Sequence, residues 1–262
     1  MTSERPYRRA MNKKTALNEI ERGGGLKMKR MRILMVDDEV SILLYVSGLL
    51  RRKGYEPITA SNGQEALILA EEENPILIIL DIMMPKMDGF EVCRRLREWS
   101  EVPIIMLSAK GDESGKVKCL DLGADDFITK PFGAEDLLAR VRAVLRRTEF
   151  AGAVSARPPF TSGDLKISFD QRQVTIAGRE VKLTPTEFSL LQELTLNAGK
   201  VLTHTHLLQK VWGPEYRDEK EYLHEFAHRL RNKLEPDKEN SGYIISVPGV
   251  GYQFRTGDKP NQ

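Results

Sequence analysis

Residues 75–89, PILIILDIMMPKMDG, restrict the fold more than any other part of the chain. Ile76 to Leu80 form an unbroken apolar run, too short for a buried helix and lacking the alternation that leaves one face in water. Flanked by Pro75 and Pro85 and rich in isoleucine, it reads as a strand covered on both faces, as in the middle of a parallel sheet. A carboxylate, Asp81, ends the run. It stands where the sheet meets solvent, either as the start of a loop or as a nucleophile.

The surrounding pattern decides how such a sheet is built. Apolar runs at Ile33–Val36, Glu56–Ala60, Ile76–Leu80, Ile104–Leu107 and Ala124–Ile128 alternate with helical periodicities near 41–53, 63–73, 88–98, 113–122 and 134–147. Strands alternating with helices imply a doubly wound, flavodoxin-like parallel sheet of five strands with helices on both faces. Residues 148–159 carry small residues and prolines without periodicity and read as a linker. From 160 to 256 the pattern changes to short strands, a helix opened by Thr184-Pro185-x-Glu187, helices near 204–212 and 220–235, and a hairpin around Pro248-Gly-Val-Gly251. That combination predicts a winged helix-turn-helix. Residues 1–30 lack hydrophobic periodicity and are expected to form a disordered arm, with Met28 or Met31 as alternative starts; residues 257–262 are a tail.

A chain of 262 residues is long enough for two such cores. The two cysteines, Cys93 and Cys119, form no C-x-x-C pattern, which argues for a reducing compartment and against a thiolate zinc site. No run is long enough to span a bilayer and the N-terminus has no secretory core, so the expectation is a cytoplasmic protein. Residues 31–147 are net −4 and residues 161–262 are neutral, so nucleic-acid binding must come from local placement of charge.

Ligands of an open parallel sheet bind at the carboxyl ends of its strands. Strand order 2-1-3-4-5 brings Asp37 and Asp38, after the first strand, beside Asp81. Ser108 ends the fourth strand and Lys130 the fifth. Carboxylates crowded this closely need a cation, and an all-oxygen set suits Mg²⁺. Asp81 is then placed to attack phosphorus, with Lys130 pairing a phosphoryl oxygen and Ser108 supplying a hydroxyl.

Residues 32–147 resemble response-regulator receiver domains, CheY-like in fold, through VDDE, LDIMMPKMDG, MLSA and GADDFITKPF. The resemblance implies that Asp81 is the phosphoacceptor and that Asp37, Asp38, Asp81 and the Met83 carbonyl hold Mg²⁺. It also implies that Ser108 and Phe127 are a switch pair and that Lys130 precedes a cis Pro131. Haloacid-dehalogenase-type phosphohydrolases also use a strand-end aspartate, but they need an acid where this chain has Met83. No enzymatic role is expected beyond slow self-catalysed phosphotransfer and dephosphorylation. With no histidine in residues 1–160, the phosphodonor must be a separate sensor histidine kinase or a small acyl phosphate.

Residues 160–255 resemble OmpR/PhoB-type winged-helix effectors in LTPTEFSLLQEL, GKVLTHTHLLQKVWG, HRLRNKLE and VPGVGYQF. The implied function is a phosphorylation-switched transcription regulator that binds tandem half-sites of double-stranded DNA as a dimer, with RNA polymerase as a further partner. Leu223, Ala227, Leu230 and Leu234 make a buried stripe on the last helix. His224, His228 and Arg231 form one outward row, and Glu225, Arg229 and Asn232 another. By the resemblance His224, His228, Arg229, Arg231, Asn232 and Ser246 contact DNA. Glu225 and Pro248 depart from the commoner family sequence. Receivers of this type pair across a two-fold axis, which implies Lys116 with Asp136, Asp126 with Arg140, and Asp121 with Arg147. EYLHEFAHRLRNKLE, REWSEVP and VWGPEY are most similar to KdpE-like regulators of potassium uptake. The competing reading is an interaction module whose winged helix binds protein, or binds DNA regardless of phosphorylation.

Overall fold

A computed structural model describes residues 31–109, 113–149, 158–235 and 242–255. The expected N-terminal arm, most of the linker and the C-terminal tail lie outside these residues. The first half contains β1 (Arg32–Val36), α1 (Val40–Arg52), β2 (Glu56–Ala60), α2 (Gly63–Glu73), β3 (Leu77–Asp81) and α3 (Gly89–Arg97). It continues with β4 (Ile104–Ser108), α4 (Glu113–Asp121), β5 (Asp126–Thr129) and α5 (Ala134–Glu149). The strands form one parallel sheet in the order β2-β1-β3-β4-β5. Every residue of β3 and β4 is buried, as the unbroken apolar runs require.

Side chains of successive residues leave opposite faces of the sheet. Leu77 and Ile79 pack with Leu43, Val46, Leu137 and Val141 on one side, and Ile78 and Leu80 with Val92, Leu96 and Cys119 on the other. Helices therefore cover both faces, and the strand ends are left as the edge of the sheet. The helix α5 runs through Thr148 and Glu149, two residues expected in the linker.

The second half begins with the antiparallel sheet β6 (Phe160–Ser162), β7 (Leu165–Ser168), β8 (Gln173–Ile176) and β9 (Arg179–Val181). Then follow α6 (Pro185–Leu196), β10 (Val201–Thr203), α7 (His204–Val211), a 3-10 turn at Pro214–Tyr216, α8 (Lys220–Leu234), β11 (Ile244–Val247) and β12 (Gly251–Phe254). Thr184 caps α6 with Glu187 reaching back to its backbone N–H, the reciprocal box the sequence predicts. The wing hairpin β11-β12 also pairs with β10. A Cβ on Gly251 would collide with the Leu202 carbonyl oxygen, so only glycine allows β12 this close to β10.

Candidate functional site

Asp37 and Asp38 follow β1 and Asp81 closes β3, so adjacency of the two strands brings three carboxylates together. One oxygen from each lies within 4.8 Å of the others, with Asp37 and Asp81 buried and Asp38 exposed. Lys130 Nζ stands 2.8 Å from Asp37 Oδ2 and 2.8 Å from Asp81 Oδ1. Burial pushes the Asp81 carboxyl above its ordinary range, with Lys130 opposing and the two acids adding to it. Burial disfavours the Lys130 ammonium, yet its bonds to Asp37 and Asp81 outweigh this and raise its pKa. An acid site carrying one ammonium against three carboxylates retains negative charge, and its all-oxygen donors fit a hard divalent cation. Asp37, Asp38 and Asp81 would hold it.

The edge opens into a cleft of about 600 Å³ whose walls include Tyr45, Met83 and Phe132. The Met83 side chain is exposed, so that residue offers the site only its backbone. The Lys130–Pro131 peptide is cis. Ser108 is wholly buried and no donor or acceptor among the described residues pairs with its Oγ. A buried hydroxyl without a partner costs about 1–3 kcal/mol, which a phosphoryl oxygen would relieve.

Gly89 packs against the backbone of Asp81. Its N–H donates to Ile82 O at 2.9 Å, and an added Cβ would collide with the Asp81 carbonyl oxygen. The start of α3 is thus pressed against the backbone of Asp81. Gly89→Ala should displace Asp81 and destabilise the fold by about 1–3 kcal/mol through overpacking. Thermal melting and acyl-phosphate labelling check this, and wild-type values of both would remove the positioning role.

The Phe127 ring stacks on Tyr222 of α8, with centroids 5.2 Å apart, and Lys116 Nζ lies 5.3 Å from the Phe127 ring centroid. Asp126 beside it is fully buried, takes hydrogen bonds from the hydroxyls of Tyr216 and Tyr222, and pairs with Arg140 at 2.9 Å. Burial and the Asp126 charge together push both phenols well above the ordinary tyrosine range. Arg147 donates to Val211 O and Thr186 Oγ1, and Arg146 donates to Trp212 O. The α4-β5-α5 face is therefore sealed by α6, α7 and α8 of the same chain.

This arrangement corrects one expectation. Arg229 does not line the outward side of α8. At about 100° per residue it falls beside Tyr222 and Glu225, on the flank that meets the receiver, and Glu187 holds its guanidinium at 2.6 Å while it donates to Ala124 O. Residues of the expected intermolecular ion pairs have intrachain partners in this single chain. Asp126 and Asp136 both bind the intrachain Arg140, Arg147 is buried against the effector, and Asp121 meets Glu225. Lys116 lies over Phe127. Missed by sequence were Tyr216 and Tyr222, which clamp Asp126, and Gly89.

Of the remaining expected DNA contacts, His224, His228, Asn232 and Ser246 are exposed and Arg231 is half-buried. Arg231 donates to Ser246 Oγ at 2.9 Å and to Ile244 O, tying α8 to the wing. His224 Nδ1 and the Tyr252 hydroxyl are 2.7 Å apart, and His228 and Asn232 are 3.0 Å apart. One polar surface thus spans helix and wing.

Comparison with known proteins matches residues 33–142 to the family described as response regulator receiver domain, and residues 178–254 to that described as transcriptional regulatory protein, C terminal. The transcriptional regulatory protein KdpE of Mycobacterium tuberculosis is 42% identical over 222 residues, covering 85% of this chain and 98% of that protein. The alkaline phosphatase synthesis transcriptional regulatory protein PhoP of Bacillus subtilis is 43% identical over 230 residues, covering 85% and 96%. Among solved structures, a mutant of RitR superposes with a TM-score of 0.71 at 28% identity, covering 86% of this chain and 99% of that one.

Proposed function

The chain belongs to the response regulators of the OmpR/PhoB type, a receiver joined to a winged-helix DNA-binding effector, and from that premise we propose that phosphorylation of Asp81 governs its hold on DNA. The observation that carries the reading is the acid site: three carboxylates within 4.8 Å, with Lys130 bridging two of them. Asp81 attacks the phosphorus of a phosphohistidine or an acyl phosphate. The phosphorus–nitrogen or phosphorus–oxygen bond breaks, the imidazole or carboxylate leaves, and Asp81 becomes a mixed anhydride. A bound Mg²⁺ would offset the charge that gathers on the phosphoryl oxygens. Lys130 follows that charge by exchanging an Asp81 oxygen for a phosphoryl oxygen.

The signal then runs through Ser108 and Phe127. Ser108 turns its unpaired hydroxyl toward the phosphoryl group, and Phe127 moves into the space it leaves. That motion takes Phe127 off Tyr222 and weakens the seal on α4-β5-α5. The freed face can then meet a second receiver, with Lys116, Asp121, Asp126, Asp136, Arg140 and Arg147 available for pairing, and α8 and the wing can meet DNA. A sensor histidine kinase supplies the phosphoryl group.

The test is retardation of the protein's own upstream DNA with and without acetyl phosphate and Mg²⁺. Tighter binding in the phosphorylated sample is the expected result. Identical binding in both would favour a winged helix that ignores the receiver, or one that binds protein instead.

A further inference from the structure

We propose that His204 of α7 and His224 of α8 form a binding site for one borderline divalent cation of the Zn²⁺ type on the effector surface. The site is separate from the acid cluster around Asp81 and does not depend on its phosphorylation. The fold brings together two histidines that lie twenty positions apart. His204 is the first residue of α7 and half-buried, and His224 is on the exposed side of α8. Their ring centroids are 5.5 Å apart, with the planes inclined at 64°. With metal–nitrogen bonds of about 2.0–2.1 Å, a tetrahedral ion holds two imidazole centroids about 5.2 Å apart. The observed separation therefore lets both rings reach one ion. The histidines nearer in sequence turn elsewhere, His206 Nε2 to Glu193 Oε1 at 2.9 Å and His228 Nε2 to the Asn232 amide at 3.0 Å.

The ring nitrogens are available for the role. Among the described residues nothing hydrogen-bonds either ring nitrogen of His204. His224 Nδ1 lies 2.7 Å from the hydroxyl of Tyr252, which is buried in β12. When Nδ1–H donates to that oxygen, Nε2 keeps the lone pair that a metal requires, and the buried phenol fixes the ring, as outer partners of ligating histidines do. Arg231 in turn covers Tyr252, its guanidinium 5.5 Å from the ring centroid. Burial first, and then His224 and Lys220, hold the His204 imidazole below its ordinary pKa. His204 is thereby kept neutral, the form that binds metal.

The donor set also selects the ion. Two imidazole nitrogens suit Zn²⁺ or Cu²⁺, whereas Mg²⁺ takes oxygen ligands and belongs to the carboxylates of the receiver. Water completes the coordination shell, and the nearby Lys220 ammonium keeps the affinity below that of a closed structural site. A dication held here would tie α7 to α8 beside the wing. It would also add positive charge to an effector region whose own sum over residues 161–262 is zero, on the surface that carries Arg231 and Ser246.

The test is calorimetric titration of Zn²⁺ into the full, unphosphorylated chain without DNA, in excess Mg²⁺ to occupy the acid cluster. The native chain should take up one ion that depends on both imidazoles. His204→Gln and His224→Gln should each weaken its binding by at least about tenfold, since losing a ligand does more than losing a ligand's support. His206→Gln, which removes the histidine facing Glu193, should bind as the native chain does. Both rings lie at the surface, so the variants should fold, and thermal melting checks that they do. No zinc uptake by the native chain, equal uptake in it and in the His204 and His224 variants, or loss in His206→Gln instead would overturn the proposal.

Discussion

Asp81→Asn should bring labelling by acetyl phosphate and Mg²⁺ down to background while leaving the receiver folded. The amide has no charged oxygen to attack phosphorus, and no other carboxylate of the site ends a strand facing the cleft with Lys130 beside it. Asp38→Ala, in contrast, removes an exposed member of the acid set and should slow labelling while leaving the acceptor in place. The stability readout moves in the opposite direction from activity. Burial raises the Asp81 pKa despite the Lys130 contact. An acid with a raised folded-state pKa stabilises only below its unfolded value, and that contribution is lost as pH rises. At neutral pH the ionised Asp81 therefore strains the fold, and the Asp81→Asn variant, neutral at this position, should melt higher by roughly 2 °C. Retained labelling in the variant would place the acceptor elsewhere. Unchanged melting with lost labelling would mean that Lys130, left with one carboxylate fewer, cancels the gain.

Much of the acid site was legible because one rule covers it. A fully apolar run cannot face water, so β3 had to be central, and a central strand brings its terminal Asp81 beside the acids after β1. The sealed face was not legible. Tyr222 and Tyr216 read as ordinary aromatic residues near a helix, because periodicity shows that a flank is covered without showing by what. Arg229 illustrates the limit: a cation on a helix-turn-helix normally faces outward, but here Glu187 serves α6 as a cap with one oxygen and receives Arg229 on the other. The box Thr184-x-x-Glu187 signalled the first role alone. The strands β6 and β10 are three residues each, too short for an alternation to register. The helix α5 continues past Arg147 because Thr148 and Glu149 carry no break signal, while Arg147 finds partners in the effector.

Phosphorylation should tighten binding to a two-half-site operator by far more than binding to a single half-site. Two separable effects multiply on the longer DNA. On the proposed mechanism, breaking the seal would release α8 and the wing for any site, and pairing of the freed receivers would hold two effectors together. Such tethering raises avidity by roughly 10²–10⁴ without a new DNA contact. The effector region is neutral over residues 161–262, so one copy gains little from phosphates and its salt dependence should be shallow. Tyr222→Phe separates the two effects. It deletes one hydroxyl that bonds the buried Asp126 and keeps the ring on Phe127. A hydrogen bond to a charged group contributes about 1.5–3 kcal/mol, so the variant should shift closure toward opening by roughly 10- to 100-fold. Unphosphorylated Tyr222→Phe should then bind a single half-site almost as well as the phosphorylated native chain, yet still require phosphodonor for the full gain on two. Titrations of both operators at several salt concentrations read these quantities directly. Equal enhancement on one and two half-sites would remove dimerisation from the switch and leave release of the sealed face as its whole mechanism.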